Sequence, residues 1–109
     1  MEAIPGVFVS SLGRATWEPD PDVPGSEMHV LVETDGVEAG FTRIDRVDGP
    51  VRWTPDRRET VVIIEGHVRI ETHLGPDIEL GPGDAASFPA GLAMDWHVTV
   101  PFKEFWVFA

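Results

Sequence analysis

The chain contains no cysteine. That absence excludes disulfides, thiolate metal sites and thiol nucleophiles together, and leaves packing as the source of stability. Basic residues are scarce: Lys plus Arg total 8 against 19 Asp plus Glu, a formal net charge of −11. A surface of that sign repels phosphate backbones and anionic bilayers, so neither nucleic acid nor membrane is expected as a partner. No run of ~18 apolar residues occurs. The N-terminus, Met1-Glu2-Ala3-Ile4-Pro5, has neither the basic start nor the apolar stretch of a signal peptide, and a cytoplasmic location is expected. Gly-x-Ser-x-Gly and His-Glu-x-x-His are also missing. Gly81-Pro82-Gly83-Asp84 precedes a strand pattern, where a phosphate-binding glycine loop would precede a helix.

What is present is a succession of short apolar or alternating runs. They fall at 7–12, 28–33, 41–47, 60–64, 68–72, 78–80, 85–89, 94–100 and 102–108, and each reads as a strand. Between them, Thr34-Asp35-Gly36, Glu65-Gly66, Leu74-Gly75-Pro76-Asp77 and Gly81-Pro82-Gly83-Asp84 supply turn residues. No helical period survives. At 109 residues the chain is long enough for one core, so residues 1–109 are read as a single domain. Many short strands favour an antiparallel sandwich or a closed roll, because closure removes exposed edges. The acidic, proline-rich stretch Glu18 to Gly25 lacks the spaced oxygen ligands of a calcium loop and is expected to be a solvated connection.

Two spacings are specific. Glu59 lies seven residues before Gly66, and Gly83 is followed by five residues and then Pro89-Ala90-Gly91; Trp96 and the closing Lys103-Glu104-Phe105-Trp106-Val107-Phe108 complete the pattern. Together these residues resemble the cupin superfamily. They are closest to small single-domain cupins related to ethanolamine-utilisation and ureidoglycine aminohydrolase-like proteins, over about Gly40 to Phe108. The resemblance implies an all-β cupin jelly-roll barrel with little or no helix, a small-molecule ligand and a homodimer.

Metal-binding cupins place two histidines four to seven residues before that glutamate, and a third three residues after the Pro-x-Gly glycine. This chain has Arg52, Trp53, Thr54 and Pro55 in the first region and Met94 in the second, so only Glu59 remains of the usual ligands. Arginine repels a cation and thioether binds such ions poorly, so no metal and no cofactor are expected. His67, Arg69, Glu71 and His73 alternate with Val68, Ile70 and Thr72 and read as the wet face of a strand. His97 and His29 are placed outward by the same alternation.

Glu59 is the candidate catalytic residue, with Trp53, Met94, Trp96 and Arg52 as the candidate pocket. An apolar setting would raise the glutamate's pKa toward the range useful for acid–base chemistry. The competing structural role is an ion pair with Lys103 or an arginine. Arg52, Arg57 and Arg58 either meet a substrate anion at the barrel mouth or balance nearby acids. The resulting expectation is a small-molecule-binding cupin acting as a metal-independent isomerase, lyase or hydrolase. A non-catalytic binding or regulatory cupin, and a metal-dependent enzyme with relocated ligands, are the alternatives.

Overall fold

A computed structural model describes residues 1–109. The chain is all-β and contains no helix, and so none long and apolar enough to cross a membrane. β1 (Glu2–Ile4) and β2 (Val7–Phe8) form a separate hairpin. The remaining strands are β3 (Glu18–Pro19), β4 (Ser26–Thr34), β5 (Val37–Ile44), β6 (Val51–Trp53), β7 (Glu59–Glu71), β8 (Ile78–Leu80), β9 (Ala85–Phe88) and β10 (Met94–Phe108). They pair antiparallel in the order β3-β4-β5-β10-β7-β8, with β6 also on β10 and β9 also on β7.

The two longest strands organise this sheet. β7 pairs with β9 through its first half and with β8 through its second; β10 pairs with β6 through its first residues and with β5 through its last. Each long strand therefore belongs to two walls, and the sheet wraps around one core. The core centres on Val61, Ile63, Val68, Ile70, Met94 and Phe102, all nearly fully buried. Removing such side chains from water stabilises the fold by roughly 1.5–3 kcal/mol each.

The sequence pattern split each long strand in two, at Glu65-Gly66 and at Val100-Pro101. In the structure both sites are irregularities inside continuous strands. His67 faces Thr99 and Glu65 faces Lys103, so two steps along β7 oppose four along β10; the next step of β10, to Glu104, carries β7 on to Ile63. The extra β7 residue flips its phase: odd positions Glu59, Val61 and Ile63 point inward before Gly66, and even positions Val68 and Ile70 after it. Pro101, which has no N–H to donate, is tolerated at such an irregularity. β1, β3 and β6 are too short to leave a periodic signal and were not anticipated, and the run at 7–12 yields only Val7–Phe8. The turn at Asp35-Gly36, by contrast, is as its residues require. Both have positive φ, 54° and 77°, and they close a two-residue hairpin between β4 and β5.

Gly66 carries a φ of 85°, and a Cβ there would lie 2.5 Å from the Pro101 carbonyl oxygen and 2.7 Å from that of Thr99. Backbone oxygens cannot swing aside as a side chain can. Gly66→Ala is expected to destabilise the protein by at least about 2 kcal/mol, whereas Gly75→Ala, with nothing within 4 Å of the added carbon, should stay within about 0.5 kcal/mol of wild type. Denaturant unfolding of the two variants checks this; equal stabilities would remove the bulge from its organising role.

Candidate active site

Inward-facing residues of β4, β5, β6, β7 and β10 bound a cavity of about 250 Å³. β7 brings Glu59 to its wall, β6 brings Trp53, and β10 brings Trp96, Glu104 and Trp106. Ser26 on β4, with Glu38 and Thr42 on β5, closes the other side. The loop between β3 and β4 also contributes, through Asp20, Pro21, Asp22 and Val23. That stretch is thus more than the solvated connection expected of it. Asp20 accepts from the Asp22 N–H at 2.9 Å, and its own N–H donates to the Ser26 carbonyl at 3.0 Å, which holds the loop against the barrel.

Glu59 is only 4% exposed, and its Oε1 accepts a hydrogen bond from Trp53 Nε1–H at 2.7 Å. Burial pushes its pKa from 4.5 up to about 7, against the opposing effect of the Trp53 bond, which favours the carboxylate. Neither Lys103 nor any arginine reaches it: Lys103 pairs with Glu65 at 3.1 Å. Glu104, buried on the same inner surface, is held well above the usual carboxylate range, first by burial and then by the charge of Glu59. Two carboxyls of one cavity are therefore both pushed toward the protonated form.

Two expected pocket residues lie elsewhere. Arg52 points to solvent and pairs with Asp95 at 3.1 Å. It precedes Trp53, and strand alternation sends neighbours to opposite faces. Met94 is 2% exposed, packs into the hydrophobic core and does not line the cavity. The arginine cluster disperses as well: Arg58 donates to Ser87, and Arg57 pairs with Glu38 at 3.2 Å. Glu104, Trp106, Glu38, Thr42 and Ser26 were not anticipated. For Glu104 a signal existed, since counting in twos from Trp96 through Phe102 places it inward. The β10 irregularity adds an even number of residues and preserves that count.

A cupin barrel raises the question of a metal at Glu59. Around it are the Trp53 indole N–H, aromatic carbon and one further carboxyl, Glu104, and Met94 occupies the core. No group of three or more His, Cys, Asp or Glu side chains is placed to share a cation. The residues present do not fit a transition metal. His67, Arg69, Glu71 and His97 lie on the outer face, where Arg69 bridges to Asp77 at 2.9 Å and His97 to Glu71.

The profile of the EutQ-like cupin domain matches residues 45–105. The chain belongs to the EutQ-like cupin family. Among solved structures, a Salmonella typhimurium LT2 protein provisionally described as ethanolamine utilization protein Q is similar over 99% of this chain and 89% of its own, with a TM-score of 0.81 at 18% identity. KdgF from Halomonas sp. matches over 93% of this chain and 91% of its own (TM-score 0.72, 19% identity). The EutQ protein of Clostridium difficile matches over 75% of this chain and 60% of its own (TM-score 0.61, 17% identity). At such identities the likeness is one of fold. A search against proteins of curated function finds no match.

The displaced Glu59 pKa has a consequence for stability. Between pH 4.5 and about 7 the folded chain keeps a proton that the unfolded chain has released, so the unfolded state binds fewer protons and stability falls as pH rises through that window. The contribution of Glu59 is on the order of 3 kcal/mol, full below the window and lost above it. Glu59→Gln is expected to remove this part of the pH dependence. Chemical denaturation of both proteins from pH 4 to 8 is the measurement, and superimposable profiles would show that Glu59 is not buried as described.

Proposed function

We propose that this cupin is a metal-independent enzyme of the isomerase, lyase or hydrolase type, with Glu59 moving a proton to or from a small molecule held in the barrel. One observation carries this reading: a carboxyl poised at about 7, buried in the wall of a cavity lined in part by three tryptophans and held by a single hydrogen bond from Trp53. A group titrating near the working pH supplies both protonation states at comparable populations, which is what general acid–base catalysis needs. The Trp53 bond fixes Oε1 and leaves Oε2 for the substrate. The indoles of Trp53, Trp96 and Trp106 exclude water and offer flat surfaces to a ligand. Glu104, which burial pushes toward its protonated form, can in that form donate a hydrogen bond to a developing negative charge on a carbonyl or enol oxygen.

A non-catalytic binding module would use the same cavity, and it is the reading to be separated by product analysis. We also propose that two copies pair through the outer face of the sheet, where Phe41 and Phe105 meet edge-on at 5.4 Å next to the exposed Val62. Sedimentation should give a dimer mass for wild type and a monomer mass for Phe105→Glu; a monomeric wild type removes the pairing.

For the chemistry, a metabolite screen by tryptophan fluorescence, with product analysis of each hit, should find a compound that wild type converts. Glu59→Gln, whose amide keeps an oxygen for Trp53, is expected to lose about 10²-fold or more in kcat while melting no lower than wild type. Turnover should survive exhaustive chelation. Retained turnover in Glu59→Gln, or activity restored to chelated protein by Mn, Fe, Ni or Zn, would sink the proposal.

A further inference from the structure

Phe108 on β10 stands in a row with two glutamates. It is the ladder partner of Glu59 on β7 and, on its other side, of Glu38 on β5, and all three line the cavity. Side chains directly opposite one another on one face of a sheet lie within contact range, so the ring is seated between the two carboxyl-bearing positions.

The Phe108 ring meets three further side chains. Trp53 lies edge-on to it with ring centres 6.2 Å apart, Trp106 is tilted against it at 5.4 Å, and the Arg57 guanidinium carbon sits 5.7 Å from the ring centre. Two of these are anchored from elsewhere: Trp106 donates to Thr42 at 2.8 Å, and Arg57 holds the Gly36 carbonyl at 3.0 Å and Glu38 at 3.2 Å. Trp53 has less to hold it. It is the last residue of β6, a strand of three residues that pairs with β10 alone, and the chain leaves the sheet directly after it. The indole N–H makes one hydrogen bond, to Glu59. So short a ladder fixes the backbone of Trp53 but not the tilt of its ring, and an edge-on aromatic neighbour is what restricts that tilt.

Building on the reading of Glu59 as the acid–base group, we propose that Phe108 is a positioning residue: braced by Trp106 and Arg57, it holds the Trp53 indole in the orientation that puts its N–H on Glu59 Oε1. Phe108 has no polar atom and acts only through Trp53. β10 then serves the site twice, by carrying Glu104 and by aiming the donor that Glu59 receives.

The direction of the effect separates positioning from mere packing. The Trp53 bond favours the carboxylate and opposes burial, so loss of that bond raises the Glu59 midpoint, whereas water admitted beside a smaller side chain lowers it. The other charged groups around the cavity, Glu104 on β10, Glu38 on β5 with Arg57 upon it, and Asp20 and Asp22 of the loop, are the same in every variant at 53 and 108.

Carbon-13 NMR titration of the Glu59 carboxyl, assigned by its loss in Glu59→Gln, is the measurement. Trp53→Phe should move the midpoint from about 7 to about 8. Phe108→Leu should raise it by at least about half as much and speed solvent exchange of the Trp53 indole N–H about tenfold. Phe108→Tyr, which keeps the ring, should stay at the wild-type midpoint. In a Trp53→Phe background Phe108→Leu should add nothing, because a residue acting through Trp53 then has nothing to act on. The proposal is overturned by an unchanged or lower midpoint in Phe108→Leu, by an equal rise in the Trp53→Phe background, by unaltered indole exchange, or by a Phe108→Tyr midpoint that moves as far as that of Phe108→Leu. Should Phe108→Leu fail to fold, Phe108→Met, closer in bulk, is read by the same criteria. The two readings fail separately, since the titrations need no substrate. A midpoint that moves as expected without any Glu59-dependent turnover rejects the acid–base role alone; Glu59-dependent turnover with a midpoint that ignores Phe108 rejects the positioning role alone.

Discussion

The antiparallel ladder between β7 and β10 is the constraint on which the rest of this protein depends. It runs from Glu59 opposite Phe108 to Glu71 opposite Asp95, and every other strand of the barrel except β3 and β4 hydrogen-bonds to one of its two members. The walls of the cavity are therefore set by where this ladder bends. The bend lies at Gly66, where a positive φ and close carbonyls leave no room for a side chain. Because the bulge changes the inward phase of β7 but not of β10, carboxyl-bearing positions Glu59 and Glu104 come to face one interior.

The acid–base character follows from that geometry more than from any single residue. A glutamate on a wet strand keeps the hydration that favours its charged form. Glu59 and Glu104 are placed among indoles and aliphatic carbon with no cation in reach. Desolvation then works on both; at Glu59 the Trp53 N–H opposes it, while at Glu104 the charge of Glu59 adds to it. The residue standing in a position where metal-binding cupins carry a ligand thus becomes the donor that tunes the remaining carboxylate. In this family member burial raises the carboxyl's pKa and an indole opposes the rise.

Much of this was legible from the chain. Spaced glycines, Pro89 and the Glu59–Gly66 interval pointed to the barrel, because turn and bulge geometry admits few residue types. The family resemblance placed Trp53, Glu59 and Trp96 in the pocket, and alternation placed the histidines outside. It also should have removed Arg52, which precedes an inward Trp53, and included Glu104, which follows an inward Phe102 by two. What could not be read was long-range. Strand pairing decides that Met94 closes the core and leaves the cavity to others, and that the loop at Asp20–Val23 folds back over the opening. A two-residue strand such as β3, which fixes that loop, carries no period at all.

The loop and the first two long strands have a further meaning. The family profile begins at residue 45, yet Asp20, Asp22, Ser26, Glu38 and Thr42 all precede it and all touch the cavity. The cavity is thereby divided between two stretches of chain: the stretch matching the profile carries Glu59, Glu104, Trp53 and Trp96, and the preceding segment supplies a further part of the lining. Changes in the segment before residue 45 can therefore alter the lining of the cavity without touching Glu59 or Glu104.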